Sequence, residues 1–282
     1  MKRQFVAFMV ASMALPLAMP FAAFAETTST DAVPTLYTIQ PRGLNVQENT
    51  VAACNQRTDQ YQIKLQQNRA DADAKLARNR ADLDARIQKN QLDRDAKLTA
   101  NRAKAQAKRE ANAAKREAKG YKSDAMKVAV AAYNAAIDAA LTTRYAAIDA
   151  AVTAFRATRD TALTARRTAV DAAIKARQDA NDAAFATWKN RCTLSADQRK
   201  AANTAFTTAM KTNAQTSKTA IEAAMNAYKT TMATARTTRD AAIKSAIDAF
   251  KSAAQSALST LKAAVQAAMP AATTPSTTNS QP

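Results

Sequence analysis

Two cysteines are the residues of this sequence best suited to a covalent reaction. Cys54 and Cys192 are the only cysteines in 282 residues, and the chain contains no Cys-x-x-Cys motif. The first 25 residues, a basic start followed by an uncharged stretch, have the pattern of an export signal, and a cysteine pair in an exported chain is expected to be oxidised. Redox catalysis, by contrast, normally uses closely spaced cysteines. We therefore predict a structural disulfide between Cys54 and Cys192. An intermolecular disulfide and a redox-active thiol are the alternatives that the residues leave open.

The rest of the composition excludes most catalytic chemistry. The chain has no histidine, and its two glycines are Gly43 and Gly120. A Ser-His-Asp triad needs a histidine, and a phosphate-binding loop needs several glycines close together. We expect a protein that is not an enzyme and that uses no metal ion or other cofactor.

The remaining chemistry is that of positive charge. The chain has 41 Lys and Arg residues against 23 Asp and Glu residues, which gives a formal net charge of +18. Such an excess repels itself and does not help folding, so it indicates anionic partners. We expect anionic envelope polymers or lipid surfaces, acidic unfolded proteins, or extracellular DNA. Sequence-specific nucleic-acid binding is not expected, because no DNA-binding motif or aromatic-interleaved basic patch is present.

The amino terminus has the pattern of an export signal. Met1-Lys2-Arg3 is followed by uncharged residues 4–25, which end in Ala23-Phe24-Ala25. A positive start, an apolar stretch and a small-x-small end predict a signal peptide over 1–25. An uncleaved membrane anchor is the alternative. The expected location is the periplasm, the cell surface or the exterior of a bacterium.

The chain after this segment divides into a linker, a long helical region and a tail. Residues 26–48 contain Pro and Gly without an apolar period, which predicts an extended linker. No proline occurs between Pro41 and Pro270, and alanine, the best helix former, is abundant there. Residues 270–282 are rich in Pro, Thr and Ser, which predicts a disordered tail.

An eleven-residue repeat runs through the helical region. In the first part asparagine recurs at this spacing, and in the second part aspartate does: Asn68, Asn79, Asn90, Asn101 and Asn112, then Asp138, Asp149, Asp160, Asp171 and Asp182. Eleven residues in three turns are close to the period of a straight α-helix. The pattern therefore predicts hendecad coiled-coil packing of nearly straight helices.

Turn and cap signals divide this region into three helices. Gly120 ends the first, Ser123 or Asp124 caps the second, and Ser195 with Gln198 has the form of a capping box for the third. The expected helices lie near 49–119, 123–190 and 196–269, each about 70 residues and roughly 105 Å long. We predict an all-α fold, an elongated antiparallel three-helix bundle with up-down-up topology.

The positions of the cysteines agree with such a bundle. Cys54 precedes Gly120 by 66 residues and Cys192 follows it by 72. A hairpin that turns at Gly120 brings both cysteines to the same end of the rod. Several arginines fall on the predicted apolar stripes: Arg144, Arg159, Arg166, Arg177, Arg236 and Arg239. We expect their stems to cover neighbouring helices while the guanidinium groups reach water; a polar groove that receives anions is the alternative.

The function predicted from these features is structural or binding. We expect a rigid cationic rod of the cell envelope or cell surface that contacts anionic polymers or partner coiled coils. A homo-oligomer, a periplasmic holdase-type chaperone and an amphipathic lipid-surface-binding protein stay open. In general character the chain resembles basic, exported helical-tentacle chaperones of the Gram-negative periplasm. Its repeats are similar to those of desiccation-linked and apolipoprotein helices.

Overall fold

Three long helices make up almost all of the described structure. A computed structural model describes residues 50–268. It contains helix α1 (Val51–Ala118), helix α2 (Asp124–Trp188), a short 3-10 helix (Lys189–Thr193) and helix α3 (Ala196–Ala267). The three long helices have 68, 65 and 72 residues, and each is therefore about 100 Å long. The all-α prediction is confirmed for these residues, which contain no strand.

Other predicted segments lie outside the described residues. These are the signal peptide over 1–25, the linker over 26–48 and the tail over 270–282. Within residues 50–268, no helix is both long and apolar enough to cross a membrane.

Each long helix begins at a side chain with a hydroxyl group. The hydroxyl oxygens of Thr50 and Ser123 accept hydrogen bonds from the backbone N–H three residues later, at 3.2 and 3.3 Å. Ser195 and Gln198 form a complete capping box: each side chain accepts from the backbone N–H of the other. These bonds satisfy N–H groups that have no partner inside the helix and contribute about 1 kcal/mol each. The predicted caps at Ser123 and Ser195 are therefore confirmed.

Helix α1 ends at a glycine that the backbone requires. Gly120 has φ of +71°, and its N–H donates to the carbonyl of Glu117 at 2.9 Å. No atom lies within 4 Å of the place where a Cβ would stand. The reason for glycine at this turn is thus its left-handed backbone conformation and not a lack of space.

Helices α2 and α3 share the apolar core. Their buried side chains form clusters along the whole pair, and the largest cluster lies near Gly120. Its most buried members are Val130, Ile137, Phe250, Leu141 and Leu261. Many other core positions are alanine, which lets the two helices approach closely but buries little area per residue.

Helix α1 lies farther from the other two helices. Its buried residues are Cys54, Thr58 and Leu65, all within the first fifteen residues of the helix, at the disulfide end. Among the described residues, no Cα atom of α1 lies within 8 Å of a Cα atom of α2 or α3. Beyond Leu65, α1 is therefore held by long side chains rather than by a shared apolar core. The three helices together have the architecture of a helical bundle.

Candidate functional site

The two cysteines meet at one end of the bundle. Cys54 lies in the first turn of α1 and Cys192 lies in the 3-10 helix between α2 and α3. Their Sγ atoms are at disulfide distance, their Cα atoms are 5.6 Å apart, and both residues are buried. The structure thus brings together the pair that the sequence singled out. Because both sulfur atoms are shielded from solvent, the geometry favours a structural cross-link over thiol exchange.

A buried arginine supports the cross-link. Arg191 is only 1% exposed, and its Nη1 donates to the hydroxyl of Thr58 at 2.7 Å. The Thr58 hydroxyl in turn donates to the carbonyl of Cys54 at 2.9 Å. The guanidinium carbon of Arg191 lies 3.5 Å from the ring centroid of Trp188, in cation–π contact. These contacts tie the start of α1 to the α2–α3 connection on both sides of the disulfide.

An aromatic cluster joins all three helices beside the disulfide. It consists of Tyr61 from α1, Phe185 and Trp188 from α2, and Phe206 from α3, with Trp188 and Phe206 stacked at 4.7 Å. The indole Nε1 of Trp188 donates to the side chain of Asn203 at 2.8 Å. Burial raises the pKa of Tyr61. Of the apolar core clusters in the described residues, this is the one that includes a residue of α1, Tyr61.

Arginine–aspartate pairs hold the rest of α1 against α2. Three arginines of α1 reach aspartates of α2, and two arginines of α2 reach aspartates of α1: Arg69–Asp182, Arg80–Asp171 and Arg102–Asp149, then Arg167–Asp84 and Arg156–Asp95. In every pair Nη1 and Nη2 of the arginine donate, Nη1 to Oδ2 and Nη2 to Oδ1 of the aspartate. We call this set the ion-pair ladder.

The ladder explains how α1 can pack without close backbone contact. Its arginine side chains are about one quarter exposed, for example 23% for Arg69 and 27% for Arg156, so their stems fill the space between the helices. The hydrogen bonds from Arg156 lower the pKa of Asp95. Because the aspartates are about half exposed, each pair contributes only about 0.2–1 kcal/mol. The ladder therefore sets the register of α1 more than it adds stability.

Two arginines of the apolar stripes are buried, which differs from the expectation that their guanidinium groups reach water. Arg159 is 6% exposed and Arg239 is 9% exposed. Each pairs with the exposed aspartate that follows it, Asp160 at 2.8 Å and Asp240 at 2.9 Å. The next aspartate folds back over the guanidinium group and compensates its charge at the surface. Two other stripe arginines lie over aromatic rings, Arg144 over Phe250 and Arg166 over Tyr228.

The outer face of α1 carries a row of exposed lysines near Gly120. They follow a spacing of seven and four residues: Lys97, Lys104, Lys108, Lys115 and Lys119. At 3.6 residues per turn, they lie within about 60° of one another around the helix and span about 33 Å of its length. None of the five forms an ion pair with another residue of the described range 50–268. We call this row the lysine strip.

The same face of α1 has a different charge pattern farther from Gly120. There, basic and acidic residues alternate at the equivalent positions: Lys64, Asp71, Lys75, Asp82, Arg86 and Asp93. Residues 51–96 contain nine basic and seven acidic residues, whereas residues 97–122 contain nine basic and two acidic residues. Those two, Glu110 and Glu117, lie about 150° and 170° around the helix from the centre of the lysine strip. Along this face of α1, the alternation of basic and acidic residues therefore gives way to lysines alone from Lys97 onward.

The sequence revealed part of this site. It identified the cysteine pair and the excess of positive charge, but not the place where that charge collects. The alternation of charge up to Asp93 and its loss after Lys97 was a usable signal, because it follows the eleven-residue period. Within the described residues, no group of His, Cys, Asp and Glu side chains could hold a metal ion.

Comparison of the chain with protein-family models, with curated proteins and with solved structures finds no match.

Proposed function

We propose that this protein is an exported, non-enzymatic scaffold of the bacterial cell envelope or cell surface. In this proposal, it is a rigid cationic rod that binds anionic polymers. The observation that carries the proposal is the lysine strip, whose five exposed side chains form no ion pair with another described residue and lie on the face of α1 that points away from α2.

The rod is proposed to be an antiparallel three-helix bundle with up-down-up topology. Support comes from the order of the contacts along the two helices. The residue numbers of the α2 partners decrease as those of the α1 partners increase, from Arg69–Asp182 to Arg102–Asp149. Hydrogen bonds between α2 and α3 are ordered in the same way: Trp188 donates to Asn203, and Asn181 accepts from Asn213. In both cases the chain reverses direction at a short turn.

An eleven-residue register is proposed for the packing. Ladder pairs of the same orientation, with the arginine on the same helix, are eleven or twenty-two residues apart on each helix. Buried residues of α2 also recur at this interval: Val130, Leu141, Leu163 and Phe185. A period of 3.67 residues per turn keeps such a stripe nearly parallel to the helix axis over about 100 Å. A straight rod follows from this register.

Polymer binding follows from the physics of repeated charges. A single exposed lysine binds one anion weakly. Several lysines in fixed positions bind a charged chain more tightly, because binding releases the counterions that surround the chain. A helix supplies these fixed positions without any loop that would have to become ordered. The disulfide keeps α1 on the rod while a polymer pulls on its charged face.

The experiment that tests the proposed function is a binding assay with polymers that differ only in charge. The purified protein is titrated into labelled polyphosphate, into a labelled sulfated polysaccharide and into labelled neutral dextran at moderate salt. We expect binding to both anionic polymers, with an affinity that falls steeply as salt rises, and no binding to dextran. An absence of binding to both anionic polymers would contradict the proposal.

Two further assays separate the proposal from the other functions that the sequence left open. Suppressed aggregation of an unfolded outer-membrane protein, with no polymer binding, would favour a holdase-type chaperone. Cosedimentation with anionic vesicles, with no binding to free polymer, would favour a lipid-surface function. Either result would replace the scaffold proposal.

A further inference from the structure

We infer that the lysine strip is the polymer-binding site, and that its partner is one linear chain of closely spaced phosphate groups lying along α1. This inference rests on the proposed function and gives it a place and a partner class. It follows from the arrangement of the five lysines, from the residues beside them and from the ion pairs that nearby carboxylates already form with other residues.

The arrangement of the lysines matches a chain and not a compact ion. Steps of seven and four residues along a helix are about 10.5 and 6 Å, so the five ammonium groups form a line about 33 Å long. The line is about one residue wide, which leaves room for one polymer chain. Asn101 and Asn112 are exposed in the same sector of the helix and can donate amide hydrogen bonds to phosphate oxygens.

Local packing does not account for the lysine strip. Basic residues stabilise the end of a helix through its dipole only in the last turn, so this effect covers Lys115 and Lys119 but not the other three. The carboxylates that α2 presents to this stretch pair with arginines, Asp149 with Arg102 and Asp138 with Arg109. Asp93, one turn before Lys97, forms its ion pair with Lys89 and interacts with Lys97 only at longer range. The strip therefore keeps its charge.

The neighbouring surface favours a polymer over a membrane. Binding to a lipid surface normally uses large apolar side chains that enter the bilayer interface. The large exposed apolar residues of the described range are Val51, Ile63, Leu92, Val128 and Leu194, and none of them lies between residues 97 and 122. The side chains between the lysines are mostly alanine and asparagine, so lipid anchors are missing beside the charge.

The test compares two variants that remove the same charge from different places. In the strip variant, the five strip lysines become glutamine: Lys97→Gln, Lys104→Gln, Lys108→Gln, Lys115→Gln and Lys119→Gln. The control variant changes five exposed lysines that lie elsewhere and form no ion pair among the described residues: Lys64→Gln, Lys75→Gln, Lys200→Gln, Lys211→Gln and Lys229→Gln. Circular dichroism checks that both variants keep the helical content of the wild type.

The probes are polyphosphate and labelled oligothymidylates of increasing length. Affinity should rise with oligothymidylate length until the strand spans the strip, about 33 Å, and then level off. The strip variant should bind at least about tenfold more weakly than the wild type. Its slope of log affinity against log salt should be smaller by about 3–4, since about 0.7 counterions are released per contact on single strands.

The outcomes keep the inference separate from the proposed function. An equal loss in the strip and control variants would show diffuse binding; it would overturn the inference and leave the scaffold proposal standing. If the wild type bound neither probe, the phosphate-chain partner would be refuted, and binding of the sulfated polysaccharide would then decide the scaffold proposal. Stronger strip-dependent binding to anionic phospholipid vesicles than to polyphosphate would overturn the polymer as partner.

Discussion

Removal of the disulfide tests how this rod holds together. In the double variant Cys54→Ala/Cys192→Ala, the chain loses a cross-link that joins residues 138 positions apart. In the chain-entropy description, closing a loop of this length constrains the unfolded chain by about 5 kcal/mol at 25 °C. We therefore expect the free energy of unfolding to fall by about 4–5 kcal/mol.

The loss should begin in α1. The buried residues of α1 all lie near the disulfide, and the ladder pairs contribute only about 0.2–1 kcal/mol each. Without the cross-link, the turn at Gly120 is the only covalent connection between α1 and the α2–α3 pair, and the remaining contacts of α1 are non-covalent. We expect α1 to separate at a lower urea concentration than the one that unfolds α2 and α3.

Two spectroscopic probes distinguish these steps. Trp188 is the only tryptophan of the chain and touches Tyr61 of α1, so its fluorescence reports the release of α1 at that end. Circular dichroism at 222 nm reports all helices together. In the variant, the fluorescence change should precede most of the loss of helicity. Wild-type protein in reductant is the matched arm, because it loses the bond and keeps both sulfur atoms in the core.

Specific results would refute this reasoning. A stability loss below about 1 kcal/mol in both the variant and the reduced protein would show that the cross-link does not constrain the unfolded chain as argued. Coincident fluorescence and helicity transitions in the variant would show that α1 is not the weaker element. A disulfide-linked dimer on non-reducing electrophoresis would contradict the intramolecular pairing.

Three further predictions follow from single residues. Gly120→Ala should cost about 1 kcal/mol in thermal unfolding because of the positive φ, and Gly120→Asn should cost less; equal stability of Gly120→Ala and wild type would exclude a strained turn. Phe206→Ala should lower the free energy of unfolding by about 3–5 kcal/mol and change the wavelength of Trp188 emission, since these two rings are stacked; unchanged emission would contradict the aromatic cluster. The lowered pKa of Asp95 contributes stability above the ordinary aspartate pKa of about 3.9, and this is lost as pH falls through the lowered value. Asp95→Asn should therefore lose stability at neutral pH and show a weaker loss below pH 4, measured by urea unfolding at each pH.

Local signals in the sequence predicted the helices well. The turn at Gly120 and the capping box at Ser195 are short-range patterns, and the structure has both where the residues indicated them. Helices expected near 49–119, 123–190 and 196–269 are observed at Val51–Ala118, Asp124–Trp188 and Ala196–Ala267. Counting residues from Gly120 also placed Cys54 and Cys192 at the same end, because helix length is proportional to residue number.

Contacts between helices were harder to predict. Asp84 and Asp95 of α1 have basic residues within reach on their own helix and on α2, and they pair with Arg167 and Arg156 of α2. The spacing of charges along one helix cannot distinguish a partner on the same helix from a partner on the neighbouring helix, because an arginine side chain is long enough to reach an aspartate in either arrangement. The burial of Arg159 was missed for a similar reason: the compensating contact comes from the next residue, and hydropathy treats every arginine as a solvent-exposed charge.

The most direct test of the central claim is a lysine acetylation footprint of the purified protein with and without polyphosphate, read by mass spectrometry. The account predicts that polyphosphate slows acetylation of Lys97, Lys104, Lys108, Lys115 and Lys119, and leaves Lys64, Lys75, Lys200, Lys211 and Lys229 close to their rates in the free protein. Uniform protection of both groups, or no protection of the lysine strip under conditions where the polymer binds, would contradict the claim that this row of charges is what the rod presents to its partner.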